Sequence, residues 1–314
     1  MSLCIEVLKP GMFTTIQDLG RHGYQKFGVS VAGAMDFFSH RVANGLVGNP
    51  PQAATLECTI LGPSLCFLAE LTIAVTGADL TPQLDGNPVA MWESLDVQPG
   101  SILTFGECRR GCRAYIAIWG GIDVPGVLGS RSTHTRSRLG GLEGRALKKG
   151  DRLAVAHSNA AAGSQHFRSD LIERNLTSGT LRFLEGPQRN FFKADSLAGF
   201  AKGIYRVSNN SDRMGIRFDG PELIHRGRAD IVSEAVPFGS IQVPANGLPV
   251  VLAADRQTAG GYPKIGVVIT ADFPVLAQLK PRDEVQFVPV RRDFAMKALR
   301  SLEDEISDRF IGLE

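Results

Sequence analysis

Glycine and proline interrupt this chain so often that a long-helix architecture is closed to it: 35 glycines and 17 prolines are spread through 314 residues. Proline removes a backbone donor and fixes φ, and glycine costs entropy inside regular elements, so the segments between them are short. Ten of those segments read as strands: residues 3–7, 71–76, 102–105, 113–119, 152–156, 180–184, 204–207, 250–254, 264–269 and 284–288. Each is rich in β-branched, aromatic or alternating residues, which suit a pleated, half-buried surface. Asp85-Gly86-Asn87 and Lys149-Gly150-Asp151 read as turns. Many short strands with such turns predict barrels or sandwiches rather than βαβ units.

Helices are few. Met35, Phe38, Val42 and Leu46 recur at helical spacing and stop before Gly48-Asn49-Pro50. Residues 273–279 suit two turns. Phe294, Ala298, Leu302, Ile306 and Phe310 form the apolar side of a C-terminal amphipathic helix, with Arg300, Glu303, Asp304 and Asp308 on its charged face. A single core stops growing efficiently near ~250–300 residues, so two domains are expected. The small, polar run at residues 158–165 has no periodicity and reads as linker. The expected organisation is a β domain over 1–157, a linker over 158–174, a second β domain over 175–290 and the helix over 291–314.

Composition excludes several functions. Basic and acidic side chains nearly balance, 34 against 32, without the excess a nucleic-acid scaffold carries. Apolar runs such as residues 250–254 fall far short of the ~20 residues that span a bilayer. Residues 1–13 hold a lone Lys9 and no secretory pattern, and five cysteines are too few for a disulfide framework, so a reducing cytoplasm is expected. The six histidines are scattered, and Cys108 and Cys112 have the wrong spacing for a metal or redox pair. No metal is expected. There is no P-loop and no Gly-x-Ser-x-Gly elbow. Gly140-Gly141-Leu142-Glu143-Gly144 lacks the strand-then-helix setting of a dinucleotide site and reads as a turn. Ala295-Met296-Lys297-Ala298 partly echoes a biotinylation motif, but Lys297 falls inside the amphipathic helix, so no covalent biotin is expected.

Arginine outnumbers lysine 25 to 9, which favours bidentate recognition of carboxylate or phosphate. Four polar, glycine-flanked loops are candidates for a ligand site. They contain Gln17, Asp18 and Arg21; Ser130 and Arg131; Ser211, Asp212 and Arg213; and Asp255, Gln257, Gly260 and Gly261. Glycine lets backbone approach a ligand, and these side chains can hold a carboxylate or an amide. Each loop also has a purely structural reading: a salt-bridged turn, a solvated loop, an Asp212–Arg213 pair that holds itself, or a turn acid at Asp255.

The same residues carry a family resemblance. Residues 14–21 and 33–36, with Leu46-Val47-Gly48-Asn49, Gly120-Gly121-Ile122 and Leu128-Gly129-Ser130-Arg131-Ser132-Thr133, resemble the biotin-dependent carboxyltransferase family. Ser211-Asp212-Arg213-Met214-Gly215, Ile241-Gln242-Val243-Pro244 and residues 257–265 extend the match in the expected order over nearly the whole chain. The family usually has threonine where Ala259 stands, and Pro-Gly where Pro281-Arg282 stands. The resemblance implies a mainly β fold with two cyclophilin-like β-barrel domains. It implies an ATP-dependent 5-oxoprolinase opening 5-oxo-L-proline to L-glutamate, with separately encoded subunits A and B as partners and ATP used by the assembled complex. Within that reading, Arg131 or Arg213 would anchor the substrate carboxylate, Gln257 would stabilise the lactam oxyanion, and Asp18, Asp212 or Asp255 would act as general base. Two other readings remain open at this level. One is carboxyl transfer from carboxybiotin to urea or a related amide. The other is a regulatory protein that antagonises a kinase inhibitor.

Overall fold

In the computed structural model, which describes residues 3–156 and 165–308, all ten segments expected to be strands are strands. The chain divides into two compact units. The first holds residues 3–22, 32–156, 165–176 and 306–308; the second holds 23–31 and 177–305. The expected linker core at 158–164 lies outside the described residues. The rest of that stretch is not all linker: a helix starts at Asp170 and runs to Thr177. Residues 23–31 cluster with the second unit, where Ser30 Oγ donates to the Arg256 carbonyl at 2.7 Å. A contact across 226 positions has no local sequence signature.

The first unit contains two open antiparallel sheets. One has seven strands in the order Ile122–Asp123, Arg152–Val155, Leu3–Lys9, Ser64–Phe67, Ile102–Phe105, Pro82–Leu84, Asn87–Pro88. The other has five: Phe13–Gln17, Thr55–Thr59, Arg110–Ile118, Leu71–Asp79, Ser94–Val97. Among the described residues these sheets do not close into the second barrel expected from the family resemblance. Ile5, Val7, Phe67 and Leu103 of the first sheet share one core with Ile16, Leu56, Ile73 and Ile116 of the second. Arg110–Ile118 lies between two neighbours and is buried at every position but its first, which suits its apolar stretch from Ala114 to Ile118. Helix α1 (Phe37–Leu46) buries Phe38, Val42 and Leu46. Asp36 caps it, accepting from Ser39 N at 2.9 Å and Ser39 Oγ at 2.6 Å. Such a cap contributes about 1 kcal/mol.

The second unit closes a seven-stranded barrel: Thr180–Glu185, Lys264–Val268, Ser240–Gln242, Val250–Leu252, Gly215–Asp219, Ile204–Val207 and Glu284–Pro289. Closure comes from the parallel pairing of Thr180–Glu185 with Glu284–Pro289. Phe287 is the hub of its core, stacking on Phe200 at 4.7 Å and meeting Phe218 edge-on at 5.2 Å. Truncating such a residue costs about 3–5 kcal/mol. The short helix that delivers Phe200, Ala194–Lys202, has no strong sequence signal. The expected helices at 273–279 and at the C-terminus are present as Phe273–Gln278 and Arg292–Asp308. On the latter, Leu302 and Ile306 are buried, whereas Phe294 is half-exposed beneath the Arg182 guanidinium at 5.3 Å. Lys297 lies within this helix, and Phe310 lies outside the described residues.

Candidate functional site

Strand Phe13–Gln17 leads directly into the first candidate loop, and the 130–133 loop is stitched to the same strand end. Thr133 N and Oγ1 both donate to the Ile16 carbonyl at 2.9 Å. Asp18 sits between the two loops. Its carboxylate accepts from Gly20 N at 2.8 Å, Ser130 Oγ at 2.7 Å, Arg131 N at 2.6 Å and the Ser132 hydroxyl. Burial alone raises a carboxyl's pKa. Here the hydroxyls of Ser132 and Ser130 and the amides of Arg131 and Gly20 outweigh it and hold Asp18 below its ordinary value. A carboxylate offers about four lone-pair sites. With four donors on it, Asp18 is a charged organiser of the 130–133 loop and a poor proton acceptor.

Arg21 is equally committed. It is buried, with its guanidinium donating to the Ser132 carbonyl and, at 3.5 Å, to that of Val127. The glycine-rich turn completes this arrangement. A Cβ at Gly140, where φ is +63°, would lie 2.1 Å from the Ser132 carbonyl oxygen and 2.6 Å from Arg21 Nη2. Gln17 donates to Thr15 Oγ1 at 2.9 Å and the Thr133 carbonyl at 3.1 Å, while its buried Oε1 has no partner among the described residues. Arg131 differs from the others. It is half-exposed, donates to the Val124 carbonyl at 2.9 Å, and lies 3.6 Å from Asp123. It faces a pocket of about 430 Å³ whose walls include Asn49, Trp119, Gly120 and Asp123.

In the second unit, Arg213 and Asp255 form a bidentate pair. Nε donates to one carboxylate oxygen at 3.0 Å and Nη2 to the other at 2.9 Å. Both side chains are nearly buried, and Asp255 N also donates to the Arg213 carbonyl at 2.8 Å. The pair clamps the loops of residues 211–215 and 254–263. Ser211 and Asp212 do local work. Asp212 Oδ1 accepts from Met214 N at 2.8 Å and Gly215 N at 3.1 Å, and Ser211 Oγ accepts from Arg217 N at 3.0 Å. Gln257 is half-buried, and its Oε1 is buried with no partner among the described residues. Gly260 pairs with Glu234 across a two-stranded sheet, and Gly261 follows it.

Several polar residues of these sites had no place in the sequence reading. Glu57 is buried and accepts from Met35 N at 2.9 Å and Tyr115 Oη at 2.6 Å, which pins the residue 33–36 run. Burial, with Glu57 and Asp36 nearby, pushes the Tyr115 phenol upward, so it stays protonated as donor. Near Gln257, Lys264 is buried against Glu234, opposite Gln242 on the neighbouring strand. The available signal was a lysine at the head of an apolar strand, directly after the polar loop. Among the described residues no group of three His, Cys, Asp or Glu side chains is arranged to hold a metal, none of the five cysteines is in a disulfide, and no helix is long and apolar enough to cross a membrane.

This chain belongs to the carboxyltransferase domain family, subdomains A and B, whose model matches residues 27–289. It is 38% identical over 294 residues to the C subunit of the 5-oxoprolinase of Escherichia coli, with 94% of each chain covered. It is 37% identical over 300 residues to the corresponding C subunit of Haemophilus influenzae, with 95% of each covered. Among solved structures it resembles the urea amidolyase of K. lactis, with a TM-score of 0.88 and 33% identity. That match covers 98% of this chain but only 20% of the longer one.

Proposed function

We propose that this chain is the C subunit of an ATP-dependent 5-oxoprolinase, an enzyme component that opens 5-oxo-L-proline to L-glutamate together with separately encoded subunits A and B. The observation that carries this is two-sided coverage: the 5-oxoprolinase C subunits match over 94% and 95% of their own length. The yeast urea amidolyase of Saccharomyces cerevisiae is 35% identical, but only 17% of it is matched. The lactam is resonance-stabilised, so coupling to ATP drives its opening; ATP belongs to the assembled complex, and no residue here is assigned to it.

Within this reading the loops divide the labour. Asp18 and Arg21 hold the 130–133 loop, and Arg131 lines the adjoining pocket of the first unit. Arg213 and Asp255 position the 254–263 loop, and Gln257 supplies amide groups to the lactam. Ser211 and Asp212 shape the turn beside Arg213, and the absence of a side chain at Gly260 lets the Gln242 and Gln257 amides approach its backbone. Carboxyl transfer to urea or a related amide is the second reading, supported by the likeness to the urea amidolyases. The deciding experiment is co-expression with subunits A and B and measurement of glutamate from 5-oxo-L-proline, with and without ATP. ATP-dependent glutamate that vanishes when this chain is omitted is expected. A well-assembled complex that makes none would move the assignment to carboxyl transfer.

A further inference from the structure

Lys264 and Glu234 form an ion pair whose two halves are held very differently. Lys264 heads the barrel strand Lys264–Val268, is 5% exposed, and its backbone N donates to Gln188 Oε1 at 3.1 Å. Glu234 is 42% exposed and belongs to the two-residue strand Glu234–Ala235, which pairs with Ala259–Gly260 outside the barrel. Apart from Lys264, its carboxylate takes a hydrogen bond from Gln188 Nε2 at 2.6 Å. A buried ammonium requires a counter-charge, and this one is met by a carboxylate that is itself partly exposed.

The surroundings are built for an amide. Gln242, buried, is the register partner of Lys264 on the neighbouring strand, next to an irregularity in the pairing. Its Nε2 reaches the Tyr262 carbonyl only at 3.4 Å. The amide nitrogens of Gln242 and Gln257 converge on Gly260, 2.6 and 3.3 Å from where a Cβ there would lie. The buried Gln257 Oε1 lacks a donor among the described residues. The unit's nearby arginines are committed elsewhere. Arg213 is bidentate on Asp255, and Arg256 donates to the Val236 and Ala253 carbonyls.

We propose that Glu234 occupies the place of a substrate carboxylate in the ligand-free chain, and that Lys264, Gln242 and Gln257 form a subsite for a small cyclic amide bearing a carboxylate. The inference rests on the lactam-opening reading above and adds its recognition element. Such a ligand presents one anion, one N–H and one carbonyl. The anion replaces Glu234 on Lys264, the N–H fills Gln257 Oε1, and the carbonyl accepts from the glutamine amides. Urea has no carboxylate and would leave the Lys264–Glu234 pair closed.

The test uses the complex assembled with subunits A and B, reading kcat and KM for 5-oxo-L-proline and, independently of turnover, its binding by calorimetry. Removing the internal competitor in Glu234→Gln lowers KM and Kd severalfold. Lys264→Met raises both more than tenfold with a much smaller change in kcat, and Lys264→Arg recovers part of the loss. Binding of 2-pyrrolidinone, the same ring without the carboxylate, is unaffected by Lys264→Met. A merely structural ion pair predicts the opposite for Glu234→Gln: an unchanged or raised Kd overturns the proposal, even if Lys264→Met fails to fold. Equal weakening of both ligands by Lys264→Met also overturns it. A wild-type complex that binds 5-oxo-L-proline but forms no glutamate would defeat the oxoprolinase reading and leave the subsite measured by the same titrations.

Discussion

Replacing Asp18 by asparagine tests whether this carboxylate organises the 130–133 loop. The aspartate accepts four hydrogen bonds, two from backbone amides and two from buried serines. Asparagine keeps one acceptor oxygen and turns an NH2 toward the remaining donors. The serine hydroxyls can rotate away, but the Arg131 amide at 2.6 Å cannot. Losing charge assistance costs about 1.5–3 kcal/mol and a buried unsatisfied donor about 1–3 kcal/mol, so we expect a loss of about 3–4 kcal/mol at pH 7. Both tryptophans, Trp92 and Trp119, lie in the first unit, so urea unfolding followed by tryptophan fluorescence reports this unit selectively. The gap between wild type and variant has a definite pH dependence. The folded Asp18 pKa is lowered, so its contribution is complete above the ordinary carboxylate pKa of about 3.9 and is lost as pH falls through the lower folded value. A gap below about 1 kcal/mol at neutral pH, or one that persists unchanged to pH 2.5, would refute this account of Asp18.

Two further predictions concern stability. His40 is fully buried, 2.9 Å from Thr55 Oγ1 and 3.1 Å from the Pro51 carbonyl, and burial pushes its pKa down to about 4. Because the unfolded imidazole titrates near 6.5, it binds the extra proton first, and the first unit should lose about 3 kcal/mol between roughly pH 6.5 and 4. His40→Gln should abolish that slope in the same urea titrations. Arg282 is exposed and at φ +76°. Arg282→Gly relieves about 1–2 kcal/mol of left-handed strain against about 0.5–1 kcal/mol of added chain entropy, for a net gain of about 0.5–1 kcal/mol. Calorimetry should show a higher Tm for it and no gain for Arg282→Ala, which keeps the strain.

The candidate loops were legible in sequence because polar residues beside glycine mark places where backbone meets a ligand or another loop. Their internal roles were not. Asp18, Asp212 and Asp255 look alike as Gly-neighbouring acids, yet one fills four donors, one caps a turn and one clamps an arginine. The partners responsible lie up to 114 positions away, and no local pattern encodes them. Lys264 escaped notice because its significance depends on Glu234, 30 residues earlier on a strand of two residues.

By itself, the sequence determined the strand-rich character, the ends of the principal helices, the family and the loops that hold the polar residues. These follow from backbone chemistry: glycine and proline limit element length, and side-chain periodicity selects strand or helix. Only the tertiary structure decided which strands close a barrel and which form open sheets, that residues 23–31 join the second unit, and which charged groups are already neutralised. Strand pairing and ion pairing are set by burial and by contacts remote in sequence, where a one-residue register shift or one buried partner changes the outcome.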